Sequence, residues 1–480
     1  MAEYGTINVS KTAKMKPIYI FSKWRTKMLR RLPTDIPGLD QLTYGGLPSG
    51  RTTVLMGDAG TGKTVFAMQF LIAGVKRGEN GVFVTFEETP ADIALNVANF
   101  GWDVEKMVKD GKIAFVDASP SLEETVEAGK FDLEGFVIRI AHAVKKVNAK
   151  RVSIDSISSI FSRYHDPAIV RRELWRITAK LKSLGVTTIL TAEGISDKHD
   201  FKSRYGIEEF VADNVMVLKR HKGENKVVRS IEIIKMRGLS YRSGEVNFEI
   251  IENGIIVYPK IPIDLNLAKT SYKNRVSIGI KKLDEMIGGG IPEGHVILLG
   301  GNTGSGKTTI AMQFLQCGFE RKESGVYVAL EESPTQIKKT ALEHGWDFEK
   351  AEKRNLLRFV TTGLIDIDPN KLLYNIMNQL EDVRAKLLVL DSVSSLESAT
   401  LDRNSVRELL IQLTAYAKSK GICVVMTYLT SAMFGAPVGQ LMGSDESSEI
   451  RLSSIVDGII LTRYVERDQS IRKLIGVLKM

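Results

Sequence analysis

Two glycine-rich octets carry the clearest chemistry in the chain. They are Gly57-Asp58-Ala59-Gly60-Thr61-Gly62-Lys63-Thr64 and Gly301-Asn302-Thr303-Gly304-Ser305-Gly306-Lys307-Thr308. Each fits the P-loop pattern. There the glycines let backbone N–H groups curl round phosphate, and the following helix aims its positive end at the anion. Lys63 and Lys307 are expected to reach the β- and γ-phosphates, and Thr64 and Thr308 to offer a hydroxyl to Mg²⁺. Two matches in one chain, each between a strand and a helix, make coincidence negligible. The implied cofactors are ATP and Mg²⁺.

A cation held by a hydroxyl and phosphates also calls for a carboxylate. The runs RVSIDS and LLVLDS place Asp155 and Asp391 at the C-terminal ends of apolar strands, where the ligand crevices of α/β sheets open. We read them as the metal carboxylates. Hydrolysis further needs a group that orients or deprotonates the attacking oxygen. Glu87-Glu88 and Glu331-Glu332 follow hydrophobic strands, in each case 24 residues after the P-loop lysine. Adjacent side chains of an extended segment point opposite ways. One glutamate of each pair is therefore expected to face the γ-phosphate, and the other a partner or solvent.

The elements that must hold these groups are written twice. LDQLTYGGLPSG (39–50) returns as LDEMIGGGIPEG (283–294), and FEETP (86–90) as LEESP (330–334), at an offset of 244 residues. The offset drops to 236 at Asp155 and Asp391 and returns to 244 at Lys235 and Lys479. The period is far too long for a solenoid, so each copy is expected to be a domain with its own core. Within the first copy, TTVLMG (52–57), GVFVTF (81–86), KIAFVD (112–117), RVSID (151–155) and VTTILTA (186–192) read as strands. VFAMQFLIAGVKR and VRRELWRITAKLKSLG read as helices between them. That alternation predicts an α/β fold: two tandem P-loop domains, each a mainly parallel sheet flanked by helices. The expected division is a basic tail over 1–30, a first domain over 31–260, a linker over 261–274 and a second domain over 275–480.

Composition narrows the classes. Of the 480 residues 43% are hydrophobic and 26% charged, which excludes a disordered or collagen-like chain. No stretch approaches the roughly 18 uninterrupted apolar residues of a membrane span, and the start does not read as a secretory signal. Cys317 and Cys423 sit in apolar runs and read as buried small hydrophobes rather than a disulfide or metal site. A cytoplasmic protein is expected. The net charge is +9, yet residues 1–32 hold eight Lys and Arg against Glu3 alone. The basic excess is therefore mainly the tail, read as a solvated leader. A start of translation at Met28 would remove six of those eight cations.

These residues together resemble the KaiC family of RecA-like ATPases, nearly from Arg31 to Met480. The first copy carries FVTFEETPADI, FGWD, VDASP at 116–120, KRVSIDS at 150–156, RYGIEEFVADNV and IIKMRG. The resemblance implies a homo-oligomeric double ring, of six subunits in that family, with ATP between neighbouring subunits. It implies slow hydrolysis at the first glutamate pair. At the second it implies phosphoryl transfer to hydroxyls near the end of that domain, and removal from them. Aligning Asp213 with Asp457 sets Glu209 and Phe210 opposite Ser453 and Ser454, so the resemblance makes these serines the autophosphorylation candidates. Lys235 and Arg237 match the family's basic pair that reaches the neighbour's nucleotide, with Lys479 the counterpart of Lys235. The second copy holds no counterpart of Arg237 or of the hairpin GLSYRSGEVNFEI (238–250). The resemblance therefore implies a second ring weak in catalysis, and it leaves the signalling protein partner unknown. Two rival classes stand against this reading. One is a RecA-like nucleic-acid remodelling ATPase, supported only by the basic tail. The other is a nucleotide-switched scaffold that turns over little.

Overall fold

In a computed structural model of the full chain, the described residues are 4–6, 19–21, 29–119, 133–161, 166–197, 200–203, 211–222, 227–260, 271–363, 367–400, 403–430, 452–467 and 470–480. Most of the basic tail, Glu209 and Phe210, and residues 261–270 lie outside them. The chain divides into two compact units, Met1–Pro259 and Lys260–Met480.

Each unit is built on one large sheet. In the first, the P-loop strand Thr52–Gly57 lies between Thr187–Asp197 and Asn214–Lys222, parallel to both. Beyond Thr187–Asp197 the parallel run continues through Arg151–Asp155, Gly81–Thr85 and Ile113–Asp117. On the other side, Val227–Met236, Glu245–Ile251 and Gly254–Val257 extend the sheet antiparallel. The second unit repeats the plan. Val296–Gly301 lies between Cys423–Leu429 and Gly458–Arg467, with Leu387–Asp391, Gly325–Ala329 and Leu357–Thr361 following on one side. Ser470–Lys479 closes the other side antiparallel.

The central strands are buried along their whole length, as in TTVLMG and VILLGG, because helices cover both faces of a parallel sheet. Apolar clusters fill the space on each face. In the first unit one gathers Val54, Ile154 and Leu190, and another Phe66, Phe70 and Ile189. The P-loop helix Lys63–Lys76 has no solvent face from Phe66 to Gly74, so its sequence is apolar all round rather than striped.

Two expectations need correction. The segment 261–274 is not linker throughout, since Ser271–Val276 forms a strand against Ile291–Glu293. Cys423 is buried, and burial raises its thiol to about 11, but Cys317 is only partly buried, with Arg321 Nη1 at 2.9 Å from its sulfur. Both thiols are free. Among the described residues, no helix is long and apolar enough to cross a membrane.

Candidate functional site

Each P-loop leaves the sheet at the C-terminal end of its central strand and enters a fourteen-residue helix, Lys63–Lys76 or Lys307–Glu320. The residue before each helix is a left-handed glycine, Gly62 at φ 100° and Gly306 at φ 102°, and no side chain caps the helix. Other helices here take the usual side-chain cap, such as Thr89 on the Asp92 N–H or Ser333 on the Gln336 N–H. The uncapped first turns leave their N–H groups to an anion. Close packing also dictates glycine at Gly301, where an added Cβ would stand 2.1 Å from Thr462 Oγ1.

The lysines fold back over their own loops. Lys63 Nζ donates to the Gly57 and Asp58 carbonyls at 2.7 and 3.0 Å, and Lys307 Nζ to those of Gly301 and Asn302, both at 2.9 Å. Burial lowers the pKa of both lysines, opposed at Lys63 chiefly by Asp155 and Glu193 and at Lys307 by Asp391 and Glu331. The loops are braced by hydroxyls, Thr61 on the Asp58 carbonyl at 2.8 Å and Ser305 on that of Asn302 at 2.7 Å. Ala59 and Gly60 are exposed at one loop tip, and Thr303 and Gly304 at the other.

The structure brings each aspartate to its P-loop threonine. Thr308 Oγ1 donates to Asp391 Oδ2 at 3.0 Å, and Thr64 hydrogen-bonds Asp155. A second threonine, Thr191 or Thr427, donates to Oδ1 of the same aspartate. Burial raises the pKa of Asp155, opposed by Thr191, Thr64 and Lys63. Among the described residues no three acidic, His or Cys side chains form a metal cage. One carboxylate beside one hydroxyl suits Mg²⁺, which usually binds through one or two carboxylates together with substrate phosphates.

The glutamates of the first pair take different partners. Glu87 accepts from Ser159, and Glu88 from Asn96 Nδ2 at 2.8 Å. Glu331 accepts from Ser395 and, at 2.9 Å, from Ser392. Burial raises the pKa of Glu332, with Asp391 and Glu331 adding to the rise. Glu87 and Glu331 each oppose the lowering of the pKa of their P-loop lysine.

The other candidates lie elsewhere. Asn214 pairs with both Thr53 and Met236, whereas Leu218 pairs with Gly57. Lys235 and Arg237 therefore sit at the opposite end of the sheet from their own P-loop, about 13 Å away at 3.3 Å per residue. Lys479 pairs with Ile459, beside the Gly458–Ile297 pair, while Gly301 pairs with Thr462, which puts Lys479 at the same far end. Lys235 Nζ donates to the Ala212 carbonyl at 2.9 Å, and Lys479 Nζ to the equivalent Val456 carbonyl at 2.6 Å and to Ser453 at 2.9 Å. Ser453 and Ser454 are exposed in the short helical turn Leu452–Ser454 just before the strand Gly458–Arg467. None of these residues reaches the P-loop of its own domain.

The site thus contains groups that motif reading missed: Thr191, Thr427, Ser159, Ser392, Ser395 and Tyr327, whose hydroxyl donates to Asp391 Oδ2 at 2.7 Å. Thr191 and Thr427 share the offset of Asp155 and Asp391, so the repeat itself was the signal that could have found them.

Comparison with known proteins matches this double architecture. The family model for the KaiC ATPase fits residues 32–261 and again 276–480. The circadian clock oscillator protein KaiC of Thermostichus vulcanus is 39% identical over 453 residues, which cover 94% of this chain and 85% of that protein. The protein of the same name from Parathermosynechococcus lividus is 41% identical over 456 residues, 94% of this chain and 82% of that one. In Prochlorococcus marinus the identity is 38% over 465 residues, 96% and 88% respectively. With both copies matched and relatives this similar along most of its length, the chain belongs to the KaiC ATPase family.

Proposed function

We propose that the chain binds Mg-ATP at both P-loops, hydrolyses it in the first domain and transfers its γ-phosphoryl group to Ser453 or Ser454 in the second. Lys63 and Lys307 hold the phosphates. Thr64 with Asp155, and Thr308 with Asp391, would hold Mg²⁺, which supplies charge neutralisation across the phosphates. Glu87 orients or deprotonates the attacking water, and Glu331 does the same for a serine hydroxyl. Glu88 and Glu332 act from behind these bases, Glu88 through its contact with Asn96.

The observation that carries this reading is the division of each sheet into two chemically different ends. One end has the P-loop, the aspartate and the glutamate. The other has Lys235 and Arg237 in the first unit, and Lys479, Ser453 and Ser454 in the second. A head-to-tail ring would bring the second end of one subunit to the first end of the next. A cation arriving from a neighbour neutralises charge that develops on the γ-phosphate, an effect worth about 10³–10⁵ in rate where arginine fingers act. The reading therefore includes a homo-oligomeric ring, of six subunits by resemblance to the family, and a signalling protein as partner.

ATP labelled on its γ-phosphate tests it, with free phosphate and protein-bound label followed together. The expected result is free phosphate that Glu87→Gln suppresses and label on Ser453 or Ser454 that Glu331→Gln suppresses. Label elsewhere, or label that survives Glu331→Gln, would overturn the second half of the proposal.

A further inference from the structure

The two metal aspartates have matching hydroxyl partners with one exception. Thr64 and Thr308 correspond, and so do Thr191 and Thr427. Tyr327 also donates to Asp391 Oδ2, at 2.7 Å, whereas its counterpart at the 244-residue offset is Phe83. The two rings are otherwise placed alike. Both are fully buried. Phe83 packs on Phe115 with centroids 5.6 Å apart and planes at 44°, and Tyr327 packs on Phe359, the counterpart of Phe115, at 5.8 Å and 38°. The strands also share a register, with Thr85 opposite Asp155 and Ala329 opposite Asp391. The sites differ here by one oxygen atom, placed against the carboxylate.

That atom acts on the carboxylate in two ways. An ionised carboxylate has about four acceptor positions, and each hydroxyl that occupies one draws charge from it. Asp391 has three such donors where Asp155 has two. Thr308 is free to turn from Asp391 toward a cation. Tyr327 is not, because its ring is sealed in the core against Phe359 and its hydroxyl would be left without a partner. The phenol therefore remains on Oδ2 when a cation arrives, fixing the carboxylate and competing for its charge.

We propose that Tyr327 is a positioning residue for Asp391 and that its hydroxyl makes the second site require more divalent cation than the first. The proposal rests on the assignment of Asp155 and Asp391 as metal carboxylates.

Mn²⁺ binding to the full chain, read by electron paramagnetic resonance with a non-hydrolysable ATP analogue present, tests it without reference to turnover. Lys63→Ala isolates the second site and Lys307→Ala the first. Half-saturation at the second site is expected to lie above that at the first. Tyr327→Phe should lower it about three- to tenfold, part of the worth of a hydrogen bond to a charged acceptor. Phe83→Tyr should raise half-saturation at the first site by a similar factor, because it offers Asp155 the missing hydroxyl. That reciprocal variant keeps the test open if Tyr327→Phe does not fold. An unchanged half-saturation in either folded variant, or shifts of the same sign in both, overturns the proposal. So does weaker Mn²⁺ binding in Tyr327→Phe with Phe83→Tyr silent, the pattern of a merely structural role. No nucleotide-dependent Mn²⁺ in either parent background would instead overturn the metal-site assignment itself.

Discussion

Glu87 is exposed, accepts a hydrogen bond from Ser159 and interacts electrostatically with the P-loop lysine. A carboxylate so placed can turn toward a water at the γ-phosphate without leaving a buried charge unpaired. Glu87→Gln keeps the shape and removes the base, so nucleotide affinity should be retained while first-domain turnover falls about 10²-fold or more. Titration with a fluorescent ATP analogue alongside phosphate release checks this, and normal turnover would exclude Glu87 as the base. At this scale the sequence was legible wherever the chemistry is local. The P-loops and glutamate pairs announce themselves because phosphate binding requires residues adjacent along the chain. Thr191 and Ser159 were not legible, because a hydroxyl 36 residues beyond Asp155 or 72 beyond Glu87 acquires its role only when the strands pair.

At the scale of elements, Arg151 shows how a strand start is tied to its neighbours. It is fully buried at the head of the aspartate strand, bonding Glu79 at 2.7 Å, the Phe70 carbonyl at 2.9 Å and that of Pro33 at 3.0 Å. The second copy has Leu387 in this place, packed toward Gly318. Arg151→Ala would leave two carbonyls and Glu79 without their donor, and should destabilise the first unit by about 3 kcal/mol. Urea denaturation, with the transition assigned by hydrogen exchange, measures it; a loss within experimental scatter would contradict the account.

The antiparallel strands of the first unit are clasped by a polar cluster. Lys219 Nζ donates to Glu232 at 2.7 Å and to Glu245 at 3.0 Å, and Ser230 and His221 also contact Glu245. Burial pushes the Glu245 pKa up, but the hydrogen bonds from Ser230, Lys219 and His221 outweigh it and leave the pKa lowered. A folded pKa below the unfolded one stabilises above the unfolded value of about 4.5 and is lost as pH falls through the folded value. Glu245→Gln should therefore flatten the stability of the first unit across that acid window, and an unchanged slope would refute the cluster's contribution. The parallel strands were legible as short apolar runs. Asn214–Lys222 and Val227–Met236 were harder to read, because an apolar run as short as VMVL (215–218) merges into the charged stretch KRHK, whose Lys219 and His221 find their partners only across the sheet.

For the whole molecule, the duplication was the strongest signal available, since the shared offsets tie the P-loops, glutamate pairs and aspartates of one copy to those of the other. Sequence could not show that Lys235 and Arg237 lie at the far end of the sheet from Gly57. That follows from strand register, which only pairing defines. The proposal that follows is that each catalytic site draws on two subunits, and this is the central claim of the account. It is tested most directly by mixing Glu87→Gln chains with Arg237→Ala chains, each inactive alone, under conditions that let subunits exchange. Random assembly places an intact Glu87 beside a neighbour's intact Arg237 at about a quarter of interfaces in a head-to-tail ring. First-domain phosphate release should recover toward that fraction of wild type. If the mixture stays as inactive as its components while mass measurements show mixed rings, the two residues do not complete one site across subunits, and the account is wrong.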